Sequence, residues 1–183
     1  MAEQMRYLVI SDTHGSYDKF NKVLNNEGQF DFIIHAGDYL YHGPRNRIPD
    51  GYYPEKLANF FKDNKNRLIG VRGNCDADVD LMLMNTNNLF TVKEIKINGL
   101  SVIIFHGHHE VNKDADIFIR GHTHIAELEK ENDKVLLNPG SPSLPKDDTG
   151  GSYAVIRTFE DRTELVLYSL EGINIKKIEL KHK

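Results

Sequence analysis

Residues 7–15 read Tyr7-Leu8-Val9-Ile10-Ser11-Asp12-Thr13-His14-Gly15, an apolar, partly β-branched run that breaks at once into Asp, His and Gly. A short apolar run bounded by turn residues reads as a buried strand. The same pattern recurs four times. Phe32-Ile33-Ile34 leads to Gly37-Asp38, residues 68–71 to Gly73-Asn74, residues 102–105 to His106-Gly107-His108, and Ile117-Phe118-Ile119 to Gly121-His122-Thr123-His124. Between the first three runs, residues 16–27 and 54–65 carry helical patterning. Pro54 suits a first helical turn, and Leu57, Phe60 and Phe61 fall at i, i+3 and i+4. Strand, helix, strand, helix, strand predicts a parallel βαβαβ half.

Beyond about residue 88 the pattern turns β-rich. Residues 91–97, 152–159, 163–170 and 173–180 are strand-length runs joined by turn residues such as Glu160-Asp161 and Glu171-Gly172. The expectation is an α/β fold of two sheets packed face to face with helices outside, the β-rich tail supplying the second sheet.

The chain has 183 residues, which predicts one domain over 1–183 with a full hydrophobic core. Lys plus Arg is 23 and Asp plus Glu is 27, so 23 − 27 gives a net charge of −4, and a general electrostatic grip on nucleic acid is not expected. The apolar fraction of 39% is too high for a disordered chain, and residues 102–105 form the longest purely apolar run, far short of the roughly 20 residues a membrane span requires. The four apolar residues 7–10 are too few for a signal-peptide core. One cysteine, Cys75, excludes an internal disulfide and a cysteine-based zinc cage, and fits a reducing, cytoplasmic compartment.

Five polar loops at the carboxyl ends of five strands converge on one crevice. In an extended segment, residues i and i+2 point the same way, so Asp12 pairs with His14 and His122 with His124. Seven candidate metal ligands result: Asp12, His14, Asp38, Asn74, His106, His122 and His124. A single ion takes roughly four to six ligands and a catalytic one keeps a position for water, so the set suits two ions, with Asp38 from a middle strand as the bridge. The mixed nitrogen and oxygen donors permit Mn²⁺, Fe, Zn²⁺, Co²⁺ or Ni²⁺. Two divalent ions bring about +4 and the two carboxylates return about −2, so the centre stays cationic and attracts an anion. Two ions about 3.5 to 4 Å apart can hold a hydroxide and both non-bridging oxygens of a phosphate, which points to phosphoester hydrolysis.

This ordered series resembles the calcineurin-like metallophosphoesterases, and within them a bacterial phosphodiesterase subfamily. The closer marks are His42-Gly43-Pro44-Arg45-Asn46, Val71-Arg72-Gly73-Asn74-Cys75-Asp76 and Asn138-Pro139-Gly140-Ser141. The resemblance implies a four-layer αββα sandwich of two mixed β-sheets flanked by helices. It implies one ion held by Asp12, His14, Asp38 and His124, and another by Asp38, Asn74, His106 and His122, with manganese the expected metal. The reaction expected is hydrolysis of a small-molecule phosphodiester by a metal-bridging hydroxide. A phosphomonoesterase or protein phosphatase, or a non-catalytic scaffold of the same fold, are the alternatives, and a homo-oligomer is compatible with the family.

Many relatives follow the Gly-Asn pair with a His, whereas this chain has Cys75. That weakens general-acid help, favours diesters with good leaving groups, and makes His42 and His108 the substitute donors. Arg45, on a stiff Gly-Pro loop, is assigned a phosphate-facing role. Residues 107–117 form a shorter connection than the family usually carries there. His35 inside its strand is expected to be buried and hydrogen-bonded, Arg72 to pair with a structural carboxylate, and the turn at residues 138–141 to support the metal loops from behind. Tyr39, Tyr41, Tyr52 and Tyr53 are candidates to stack on a nucleoside.

Overall fold

The first apolar run becomes β1 (Met5–Ile10), whose last four residues are buried. The structure, a computed structural model, describes residues 2–86 and 89–181. Helix α1 (Tyr17–Glu27), β2 (Phe32–His35), α2 (Pro54–Asp63) and β3 (Leu68–Gly70) follow, and β1 and β2 pair in parallel, as do β2 and β3. The βαβαβ half therefore forms as the spacing predicts. A short helix, α3 (Asp78–Leu83), leads to β4 (Val92–Ile97), β5 (Leu100–Phe105), β6 (Ile117–Ile119), β7 (Ala126–Glu131) and β8 (Lys134–Pro139). The chain returns through β9 (Ser152–Thr158), β10 (Arg162–Ser169) and β11 (Asn174–Lys181).

Two mixed sheets result, ordered β11-β10-β9-β1-β2-β3 and β4-β5-β6-β8-β7. The tail does not supply the second sheet. β9 pairs antiparallel with β1, with Leu8 opposite Val155, and extends the first sheet instead. The second sheet comes from β4 to β8, where the Asn98-Gly99 turn, with both residues at positive φ, closes the β4–β5 hairpin.

Strand alternation sorts the cores. Val9, Ile34, Val102, Ile104, Ile117, Ile119, Val135 and Leu137 fill the space between the sheets. Leu8, Ile10 and Ile33 point the other way and pack under Phe20 and Val23 of α1, Leu57 and Phe61 of α2, and Leu81 of α3. Two mixed sheets with flanking helices are as expected, and among the described residues the three α-helices all lie on the flank of the first sheet. The short connection between β5 and β6 builds no helix over the second.

Candidate metal centre

The donors leave the carboxyl ends of β1, β2, β3, β5 and β6, and their backbone is held in an unusual conformation. Asp12, His14, Asp38, His122 and His124 adopt φ of 53°, 45°, 60°, 71° and 59°. Left-handed backbone is uncommon outside glycine and costs roughly 1 kcal/mol or more per residue, so its concentration here marks a functional site. Interstrand bonds hold it: Asp12 N–H donates to Gly37 O at 3.0 Å, and His14 N–H to Asp38 O at 3.2 Å. Gly37 has φ 99°, and a Cβ there would lie 2.7 Å from the Gly73 nitrogen and 2.8 Å from His106 Nδ1. Only glycine lets the second and third loops come this close.

Each carboxylate is anchored by one oxygen and presents the other. Asp12 Oδ2 accepts Ser11 O–H at 2.7 Å and His122 N–H at 2.9 Å. Asp12 Oδ1 is buried without a hydrogen-bond partner and lies 3.3, 3.7 and 3.9 Å from the Nε2 atoms of His124, His14 and His106. Asp38 Oδ1 accepts Cys75 N–H at 2.8 Å, while its Oδ2 lies 3.4 Å from His106 Nε2 and 3.7 Å from His14 Nε2. Asp38 thus stands between two groups of donors.

Three imidazoles have their tautomer set by backbone. Nδ1–H of His14, His106 and His124 donates to the carbonyls of Tyr41, Ala36 and Leu144 at 2.7, 2.7 and 2.6 Å. A carbonyl only accepts, so in each neutral ring Nε2 carries a lone pair, and all three face the carboxylates. His14 Nε2 and His124 Nε2 are 3.2 Å apart, a contact that sets lone pair against lone pair when both rings are neutral. Asn74 Oδ1 lies 3.0 Å from His106 Nε2 and 2.8 Å from His122 Nδ1. Nε2 atoms that offer lone pairs once their protons leave, gathered around an orphaned buried carboxylate oxygen, fit divalent cations. Asp12 with His14 and His124, and Asp12 with Asp38 and His106, are groups whose donor atoms lie within 4.8 Å of one another.

Electrostatics follow from this crowding. Burial opposes charge on Asp12 and Asp38, yet the histidines beside them hold both carboxyls below the usual range. Burial pulls His106 down, but Asp38 and Asp12 outweigh it and push the imidazole up to about 9. Burial, with Asp38 nearby, pushes the Cys75 thiol up to about 12, so it is no thiolate donor.

A cleft of about 750 Å³ opens onto this cluster, lined by Asp38, Asn74, His122 and His124, with Arg45 and Lys146 on its wall. Of the three groups expected to act on the phosphate, Arg45 is exposed on that wall. His42 is half-buried beside the rings of Tyr41 and Tyr52, and is not on the cleft lining. His108 packs 5.3 Å from the His106 ring and 6.1 Å from the His122 ring, ring centre to ring centre. Tyr41 lines the cleft, whereas Tyr39 is buried against His35 in the helix-side core.

The supports are less legible from sequence. Buried Asp76 accepts the N–H groups of Asp38, Tyr39 and Gly73 at 2.9, 2.7 and 2.7 Å, clamping two donor loops together. Nothing but its place after Asn74 singles it out. Ser141 and Ser143 hydroxyls donate to Asp12 O at 2.7 and 3.1 Å, and Asn138 Nδ2 donates to Gly121 O at 3.1 Å, so the turn at residues 138–141 backs the metal loops as expected. Arg72 pairs with Asp78 at 2.8 Å. Lys146 had no sequence signal at all.

Five loops carrying Asp, Asn and His over a two-sheet sandwich have the chemistry of a metal-dependent phosphoesterase. The chain belongs to the calcineurin-like phosphoesterase superfamily, whose domain profile matches residues 5–161. It is 33% identical over 161 residues to the phosphodiesterase YfcE of Escherichia coli (strain K12), covering 83% of this chain and 87% of the relative. The solved structure of the Escherichia coli phosphoesterase Yfce superposes with a TM-score of 0.83 at 30% identity, covering 95% of this chain and 98% of that one. The Vacuolar Protein Sorting 29 structure from Cryptosporidium parvum, at 17% identity and a TM-score of 0.67 over 99% of this chain and all of that one, shares the fold.

Proposed function

We propose that this chain is a two-metal phosphodiesterase acting on small-molecule phosphodiesters in the cytoplasm, built as one domain. It is a metal-dependent phosphoric diester hydrolase by family. The observation that carries it is the buried, unpartnered Asp12 Oδ1, ringed by three imidazole Nε2 atoms whose other nitrogens are committed to backbone carbonyls. Asp12, His14, Asp38 and His124 would hold one ion, and Asp38, Asn74, His106 and His122 the other, with manganese the expected metal. Bound there, two divalent ions would lower the pKa of water toward roughly 7 and supply the hydroxide that attacks phosphorus.

The protein's own groups do the rest. The Asp76 clamp and the serine pair behind Asp12 keep the donors in place through the reaction. Arg45 takes a non-bridging phosphate oxygen at the cleft wall. His108, beside His106 and His122, donates a hydrogen bond toward the leaving oxygen, with His42 a more remote donor. Cys75 stands where a stronger acid would serve, which favours diesters whose leaving groups depart as stable anions.

The test is hydrolysis of a nitrophenyl diester and the matching monoester by metal-stripped protein, with Mn²⁺, Ni²⁺, Zn²⁺ and Mg²⁺ restored singly. Metal-restored diester activity well above monoester activity is expected. A monoester preference would make it a monoesterase, and no turnover by folded protein with any ion would leave a non-catalytic scaffold.

A further inference from the structure

The cleft wall holds two cations that the phosphodiesterase reading does not fully use. Arg45 sits on the loop after β2, where Gly43 has φ 82° and Asn46 Nδ2 donates to His42 O at 2.7 Å, so the turn is pinned. Lys146 comes from the loop after β8, and its own N–H donates to His124 O at 3.0 Å, fixing it to a donor loop. Both residues line the same cleft as His122 and His124 and are exposed there.

The carboxylates nearby are already committed. Asp76 spends both oxygens on three backbone N–H groups. Asp147, next to Lys146, accepts Ala126 N–H at 2.6 Å with Oδ2 and Thr149 N–H at 3.0 Å with Oδ1. Asp78 pairs with Arg72. Among the described residues neither Arg45 nor Lys146 has an ion-pair or side-chain hydrogen-bond partner.

Charge counting then separates what the reacting phosphate needs from what is left over. Two divalent ions with Asp12 and Asp38 leave about +2, which one hydroxide and the single negative charge of a diester offset to about zero. Lys146, and Arg45 where it reaches past the reacting phosphate, bring up to about +2 to the cleft wall against about −1 from buried Asp76, and a terminal phosphate carries close to −2 at neutral pH. Resting on the phosphodiesterase reading above, we propose that Arg45 and Lys146 form a second anion subsite, selecting phosphodiesters in which one arm ends in a phosphate. Arg45 would contact both the reacting phosphate and this group, and Lys146 the terminal group alone.

Two matched probes test it on the metal-loaded protein: nitrophenyl hexyl phosphate, and its counterpart with a phosphate at the far end of the hexyl arm. In both, hydrolysis puts the oxygen of water on the diester phosphorus, breaks the bond to nitrophenolate and releases a proton. The readout is the ratio of kcat/KM for the two probes. It is expected to favour the phosphate-ended probe by about tenfold, the worth of one charge-assisted contact, and to fall toward unity in Lys146→Gln. A ratio near one in the wild-type protein, or one that Lys146→Gln leaves unaltered, overturns the subsite.

Calorimetric binding of hexyl phosphate and of hexanediyl bisphosphate reads the subsite without turnover. The bisphosphate is expected to bind about tenfold more tightly, and Lys146→Gln to remove that advantage. Equal weakening of both ligands would put Lys146 on the reacting phosphate and overturn the proposal. Absence of turnover with either probe would sink the phosphodiesterase reading alone, because the binding comparison still decides the subsite.

Discussion

Asp38 gives one oxygen to Cys75 N–H and turns the other to His14 and His106, so an amide there separates charge from shape. Asp38→Asn keeps an acceptor for Cys75 N–H and removes the negative charge between the two donor groups. The expected outcome is a folded protein whose bound metal, counted by elemental analysis, falls, and whose diester kcat drops more than about 100-fold. Full activity would remove Asp38 from the ligand set. His35 obeys a different logic. Gly37 N–H donates to its Nδ1 at 3.1 Å and Thr13 Oγ1 lies 3.0 Å from its Nε2, so a second ring proton would set N–H against N–H. Burial accordingly holds its pKa down to about 3, against 6.5 when exposed. Below pH 6.5 the unfolded chain takes up a proton that the folded one refuses, so this contribution is present above 6.5 and is lost toward 3, by about 1.4 kcal/mol per pH unit. Urea titrations of His35→Gln, whose amide can serve both partners, should show a shallower loss of stability with acid than the wild type. Identical slopes would refute the buried-neutral assignment. At this scale the donors were readable because Asp, Asn and His each followed an apolar run. Asp76, Ser143 and Lys146 were not, since an acceptor for backbone N–H, or a cation on a cleft wall, has no local signature.

At the scale of elements, the five apolar runs became strands because burial on both faces demands continuous apolar sequence, which is visible without partners. β7 reads Ala-Glu-Leu-Glu-Lys-Glu, with only Leu128 fully buried in the core, and a solvent-facing edge strand of that composition gives almost no signal. Pairing was harder still. β9 to β11 announce themselves as strands, but which sheet they join depends on the free edge of β1, a fact of topology and not of local pattern. The loops that carry the site belong to this scale as well, since β2 and β3 deliver Asp38 and Asn74 only if Gly37 lets their ends touch. Gly37→Ala places a Cβ against the Gly73 nitrogen and the His106 ring at a φ of 99°. Both effects push the same way, and chemical denaturation should show a loss of about 2 kcal/mol or more. Metal content should fall with it. A variant as stable as the wild type with full metal would show that the loops do not need this approach.

For the whole molecule, the centre ties the two sheets together: Asp12 and Asp38 leave the first, His106 and His122 the second, and Asn74 lies against both of these histidines. Ions bound there would cross-link the sandwich and bind only the folded state. At a free metal concentration about 100 times the dissociation constant, binding adds about 2.7 kcal/mol, a rise in Tm of roughly 5 to 10 °C for a chain of this size. The same linkage sets a pH dependence. In the metal-free protein the Asp38 and Asp12 carboxylates outweigh burial and push His106 up to about 9, so at neutral pH its Nε2 holds a proton that a cation bound by His106 would displace. Below that pKa, each unit of acid costs about tenfold in apparent affinity for this one proton, and the metal-induced rise in Tm should shrink steadily as pH falls from 9 toward 6. Paired thermal melts of loaded and chelator-treated protein across that range measure it directly. A gap that stays constant would mean that metal binding displaces no proton, and that His106 is either neutral already or outside the ligand set. Repeating the melts with His106→Asn distinguishes these two, because only a ligand's removal shrinks the gap at high pH.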